Sequence, residues 1–81
     1  MGIADNLIKI TILDEGGYKS FEKYCLKDKY KDIYNSWKED GKFDGNYLNP
    51  GSYTIFTNIV YVSQDGCLEQ GDCVDYETFT I

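Results

Sequence analysis

The sequence predicts an α+β fold: a small antiparallel β-sheet with one helical segment, about residues 19–40, packed on one face. Three observations carry that expectation. Residues 7–13, LIKITIL, and 53–62, YTIFTNIVYV, are β-branched and aromatic runs of strand length. Leu26, Tyr30, Ile33, Tyr34 and Trp37 are spaced by threes and fours, which draws one stripe on a helix. The turn signals DEGG, DG, NPG and QDG punctuate the chain between these segments.

Taken in order, residues 7–13 alternate loosely, as a half-buried strand does. Asp14-Glu15-Gly16-Gly17 follows with two residues free to take positive φ. In the segment 19–40, Asp28, Asp32 and Glu39 share a face away from the apolar stripe, and Lys27, Lys31 and Lys38 flank it. Gly41 stands where a glycine ends a helix. Phe21 and Cys25 fall on a different phase, so the segment reads as one helix or as two that meet near residues 26–28. Beyond Gly41 the turns Asp44-Gly45 and Asn49-Pro50-Gly51 lead into residues 53–62, either one long strand or two short ones folded at Thr57-Asn58. Gln64-Asp65-Gly66 turns again, and residues 73–81 supply the last strand. At 81 residues the chain is expected to be a single domain, residues 1–81, with little room for a deep catalytic cleft.

The charge is divided along the chain. Residues 1–42 carry eight acidic and eight lysine side chains, whereas residues 43–81 carry six acidic side chains and no basic one. The net charge of −6 therefore belongs entirely to the second half. That sign disfavours direct nucleic-acid binding and an anionic membrane surface, both of which need exposed Lys or Arg. It favours a basic partner, a cation or plain solubility. All eight basic residues are lysine, a usage that also fits an AT-rich coding sequence. The N-terminal MGIADNLIKITIL has no basic n-region and no uninterrupted apolar stretch, so a cytoplasmic location is expected.

The chemistry open to the chain is narrow. With no histidine there is no Ser-His-Asp or Cys-His arrangement, so no catalytic residue is assigned and an enzyme is not expected. Cys25, Cys67 and Cys73 lack Cys-x-x-Cys spacing, so no zinc site and no cofactor are assigned. Cys25 reads as a small buried hydrophobe, while Cys67 and Cys73 could face each other across the 66–72 loop, as a disulfide only outside the cell. The stretch DGCLEQGDCVDYE, residues 65–77, gathers five carboxylates without a basic residue. It lacks the D-x-[DN]-x-[DN]-G loop of an EF-hand, which leaves it a candidate surface more than a metal site. On a strand, Asp75 and Glu77 would share one face with Cys73, and Val74 and Tyr76 the other.

The run from Gly41 to Ile55, with Phe43, Leu48, Pro50, Gly51 and Tyr53, resembles the G-x-F…L-x-P-G-x-Y-x-I signature of prealbumin-like β-sandwich modules, such as carboxypeptidase-regulatory-like and Cna-B-like domains. The likeness covers about a fifth of the chain. It implies that Leu48 and Tyr53 pack a sandwich around a Pro-Gly turn, and it makes an all-β sandwich the alternative fold. An extracellular β-module with a structural or adhesive role is the corresponding alternative function.

In size, acidity and lysine-only composition, the chain resembles inhibitors encoded by phages and mobile elements, including DNA-mimic anti-restriction and anti-CRISPR proteins. That resemblance implies a small cytoplasmic protein of a bacterial host that blocks a basic protein, such as a nuclease or other nucleic-acid-binding enzyme. Asp65, Glu69, Asp72, Asp75 and Glu77 are the residues expected to supply the charge, with Tyr76 as a contact anchor.

Overall fold

The computed structural model describes residues 2–81, with side chains from Asn6 onward. Its elements in chain order are β1 (Gly2–Leu13), β2 (Lys19–Leu26), α1 (Tyr30–Asp40), β3 (Lys42–Phe43), β4 (Asn46–Tyr47), β5 (Ser52–Val62) and β6 (Leu68–Thr80). Four strands form one antiparallel sheet in the order β2-β1-β5-β6, and β3 and β4 form a separate short hairpin. The α+β expectation is met.

β1 alternates as its sequence requires. Ile8, Ile10 and Ile12 are buried beneath α1, and Lys9 and Thr11 lie on the other face. The turn after β1 is closed by Asp14, whose Oδ1 accepts from the N–H groups of Gly16 and Tyr18, each at 2.9 Å, while Gly17 takes φ 82°. That tight turn returns the chain along β1 and corrects the expected extent of the helix. Residues 19–26 form strand β2, paired from Leu7↔Leu26 to Ile12↔Phe21. The four-residue spacing of Phe21 and Cys25 suits a strand as well as a helix, because four is also an even number. Both point toward α1, whereas Leu26, expected at the head of the helical stripe, is 45% exposed on β2. Local helix propensity in KSFEKYCL is outweighed by hairpin pairing and by burial of this alternating face.

The helix proper keeps the rest of the stripe. Tyr30, Tyr34 and Trp37 are buried, and Ile33 packs beside them. Trp37 is 1% exposed and sits against Phe21, ring centroids 4.6 Å apart. Gly41 ends the helix in the left-handed conformation, φ 67°, and its N–H donates to the Trp37 carbonyl. The β3–β4 hairpin turns through Asp44 and Gly45, both at positive φ, as a two-residue Asp-Gly hairpin does.

Leu48 joins the core and Tyr53 packs on it with its hydroxyl donating to the Asn49 carbonyl at 2.6 Å, so the Leu-x-Pro-Gly-x-Tyr run does pack a hydrophobic interior. The interior is closed by α1, however, and not by a second sheet. The all-β sandwich is thereby overturned, because Tyr30, Tyr34 and Trp37 keep helical spacing that no strand can bury on one side.

β5 is one continuous strand, and Thr57-Asn58 is the site of a register slip against β6 in place of a fold-back. β6 begins at Leu68, five residues before the expected start. Residues 68–72 are therefore strand and not loop, and Cys67 and Cys73 are free. Six residues of extended chain separate them by roughly 20 Å, well beyond disulfide reach. Among the described residues, no helix is long and apolar enough to cross a membrane.

Candidate partner-binding surface

The β5–β6 hairpin delivers the acidic stretch to the surface. Its turn is held by Ser63, whose carbonyl accepts from the Gly66 N–H at 3.0 Å and whose Oγ accepts from the Cys67 N–H at 3.1 Å. Gly66 takes φ 82°, which leaves Asp65 exposed at the tip. Glu69 then leaves the turn on β6, opposite Tyr61. The register shifts twice between the Thr57↔Asp75 and Val60↔Gln70 pairs, so β6 carries extra residues against β5 in the stretch that holds Gly71, Asp72 and Val74. Such bulges bend an edge strand and throw out side chains that regular pairing would hold down. Asp72 is exposed there.

Beyond the bulges the carboxylates behave differently. Asp75 accepts from the Tyr30 hydroxyl at 3.1 Å and from Thr57 Oγ1 at 3.0 Å, and its own N–H donates to Thr57 Oγ1. Glu77 accepts from the Tyr34 hydroxyl at 2.7 Å and from Lys38 Nζ at 3.2 and 3.3 Å. These two carboxylates stitch helix to sheet.

Their electrostatics follow from those bonds. The Tyr34 hydroxyl, and then Lys38, hold the Glu77 carboxyl below the usual range. Burial, and then the bond to Glu77, drive the Tyr34 phenol far above its ordinary value. Burial and Asp75 raise Tyr30 in the same direction. Lys19 holds Glu22 low, with a smaller contribution from Lys9.

A pH dependence results. A carboxyl whose pKa is depressed by folding stabilises the fold above its unfolded pKa and loses that contribution as pH falls through the folded value. Stability is therefore expected to decline below about pH 4.5. Glu77→Gln should flatten that decline, as read by urea midpoints from pH 7 down to about pH 3. A phenol whose pKa is raised stabilises below its unfolded value, so stability should also fall above about pH 10. Tyr34→Phe should remove part of that alkaline loss.

The six residues singled out in the sequence thus divide into three places. Asp65, Glu69 and Asp72 lie along the outer half of the hairpin. Asp75 and Glu77 lie against α1, the first half-buried and the second exposed at the helix edge. Tyr76 is 67% exposed on the opposite face, stacked on Phe56 with centroids 6.2 Å apart. The three ion pairs among the described residues engage only Glu22 and Glu77, so Asp65, Glu69 and Asp72 have no lysine partner there. Sequence reading missed Tyr30, Tyr34 and Lys38 as partners of the acidic strand. Their i, i+4 and i+8 spacing puts two phenols and an ammonium in one row, a pattern that could have marked them.

Other chemistry is sparse among the described residues. No three Asp, Glu or Cys side chains gather closely enough to hold a metal ion. The Cys25 thiol is pushed up by burial, which disfavours the reactive thiolate. A shallow hollow lies between α1 and the β3–β4 hairpin, lined in part by Ser36, Asp40, Phe43 and Tyr47. No family model, curated protein or solved structure gives a significant match to the chain.

Proposed function

We propose that the protein is a small acidic inhibitor, carried by a phage or mobile element, that binds and blocks a basic surface of a protein in the bacterial cytoplasm. A nuclease or another nucleic-acid-binding enzyme is the kind of target this charge fits, as in anti-restriction and anti-CRISPR proteins. The observation that supports the reading is the exposed, lysine-free outer half of the hairpin. Asp65, Glu69 and Asp72 project there without an ion-pair partner among the described residues, and the chain carries no Lys or Arg after Lys42. Carboxylates at that end would occupy Lys and Arg positions that otherwise hold phosphates. Desolvated tyrosine surface, such as Tyr61 beside Glu69, would add contact area.

Asp75 and Glu77 contribute differently in this reading. They shape the surface by tying β6 to α1 and keep part of their charge for long-range steering. The extracellular β-module is not carried forward, because no observation favours it over this reading.

The test compares wild type with D65N/E69Q/D72N. Both are used to recover targets from a bacterial lysate, and the recovered enzyme is then assayed directly for inhibition and binding. A basic nucleic-acid enzyme inhibited by wild type is expected, with affinity falling at least about tenfold in the variant and steeply with salt. The variant should unfold at nearly the wild-type temperature, because none of its three changes touches an ion pair. Equal inhibition by both proteins, or a target surface without net positive charge, would sink the proposal.

A further inference from the structure

Both ends of the four-stranded sheet are free edges, β2 on one side and β6 on the other. Because every neighbour in the sheet is antiparallel, β2 and β6 run in opposite directions. A second molecule displaced sideways in the sheet plane would therefore present its β2 antiparallel to β6, the more stable pairing pattern.

The hydrogen-bond phase of each edge can be read from its end. Gly51 and Ile81 exchange N–H···O bonds at 3.1 and 2.9 Å, so the alternation of the ladder commits Phe79 and Glu77 to β5. It leaves the N–H and C=O of Thr80, Thr78 and Tyr76 facing outward. On the other side the Lys27 N–H donates to the Asn6 carbonyl at 3.0 Å, which commits Cys25, Lys23 and Phe21 to β1. Tyr24 and Glu22 then face outward, while the Leu26 carbonyl is already taken by the Lys29 N–H at 3.0 Å.

From these edges we propose that the protein associates with itself head to tail, β2 of one copy adding to β6 of the next with Tyr24 opposite Tyr76. This register satisfies both periodicities at once. Outward-facing backbone meets outward-facing backbone, and the helices of both copies stay on the same side of the extended sheet. Side chains match as well: Lys23 falls opposite Glu77, Phe21 opposite Phe79 and Glu22 opposite Thr78. Leu26 and Val74 meet at the end of the paired stretch. Among the described residues, four of the seven exposed large hydrophobic side chains, Tyr24, Leu26, Val74 and Tyr76, are the ones this contact brings together.

Charge also selects the pairing. Two β6 strands paired around Tyr76 would set Asp75 against Glu77, a like-charge opposition that disfavours that two-fold register. The helices do not obstruct it. Successive copies would lie about 19 Å apart, the width of four strands. α1 has 11 residues, so it is about 16 Å long, and its width of about 10–12 Å is less than that repeat. Such a contact does not close on itself and builds an open or ring-shaped extended sheet. It uses the inner half of β6 and leaves the Asp65, Glu69 and Asp72 end free, so it stands independently of the inhibitory reading.

Sedimentation velocity of the full chain tests it. Wild type should show a sedimentation coefficient that climbs with concentration up to about 1 mM without levelling at a dimer. Tyr24→Pro and Tyr76→Pro each remove an outward N–H that their own sheet does not use. Each variant alone should be monomeric, and an equimolar mixture should form a one-to-one heterodimer through the two intact edges. Lys23→Glu should weaken self-association about fivefold by facing Glu77 with a like charge. A monomeric wild type over the whole range overturns the proposal. So does a proline variant that assembles like wild type, or a mixture of folded variants that stays monomeric. Should either proline unfold the chain, Lys23→Glu decides: unchanged association rejects the pairing.

Discussion

Trp37→Ala is expected to destabilise the protein by about 3–5 kcal/mol, the largest effect of any single change considered. A chain of 81 residues has roughly 4–12 kcal/mol of total stability, so the variant should stand at the edge of unfolding at room temperature. The reason is position as much as size. Trp37 is essentially fully buried, and it is the side chain through which α1 meets β2 at Phe21. Removing it leaves a void that the flanking Ile10 and Ile12 of β1, fixed in a ladder on both sides, cannot close. Trp37→Phe should behave differently. The indole Nε1 is buried with no hydrogen-bond partner, so the phenyl ring gives up volume but also removes an unsatisfied donor. A net change within about 1 kcal/mol is expected for it. Urea unfolding followed by far-ultraviolet circular dichroism separates the two outcomes. An alanine variant as stable as the phenylalanine one would show that α1 is not held by this side chain.

Gly71→Ala should cost about 1–3 kcal/mol although it adds only a methyl group. Gly71 does not have positive φ, so backbone strain is not the cause. The cause is contact: a Cβ there would overlap the Tyr61 ring and approach Ile59 Cγ1 to 2.8 Å. Gly71 also supplies the carbonyl that accepts from Asn58 Nδ2 at 3.1 Å across the bulged stretch. Forcing the strands apart would therefore loosen the outer hairpin that carries Glu69 and Asp72. A double-mutant cycle gives the decisive reading. Tyr61→Ala removes the obstructing ring, so the cost of Gly71→Ala should drop in that background, leaving a coupling energy of about 1 kcal/mol or more. Strictly additive costs would mean that the clash is absorbed elsewhere and that Gly71 is not held by the ring.

What was legible beforehand has a common character. The isoleucine alternation of β1, the turn at Asp14–Gly17, the Asp44-Gly45 hairpin turn and the Gly41 helix stop are each decided by residues within a few positions of one another. Local chemistry suffices for these, because a left-handed φ or a two-residue period depends on little else. The stripe of Tyr30, Ile33, Tyr34 and Trp37 located the helix for the same reason.

The misread segment shows where that stops. Lys19–Leu26 is rich in residues that suit a helix, and Phe21 and Cys25 sit at a spacing that both structures accept. Only the pairing with β1, which lies across the turn, made it a strand. The fate of the acidic stretch was decided in the same way. By itself the sequence determined that this half of the chain is acidic and lysine-free, and that its strands alternate. Tertiary structure alone decided which carboxylates stay free. Tyr30, Tyr34 and Lys38 lie 45, 43 and 39 residues from the groups they bind, and two register shifts in β6 set which side chains reach α1 and which project from the hairpin. The separation of charge is a property of composition. Its division into two carboxylates bound to α1 and three with no ion-pair partner among the described residues is a property of register, which is set by packing across the sheet.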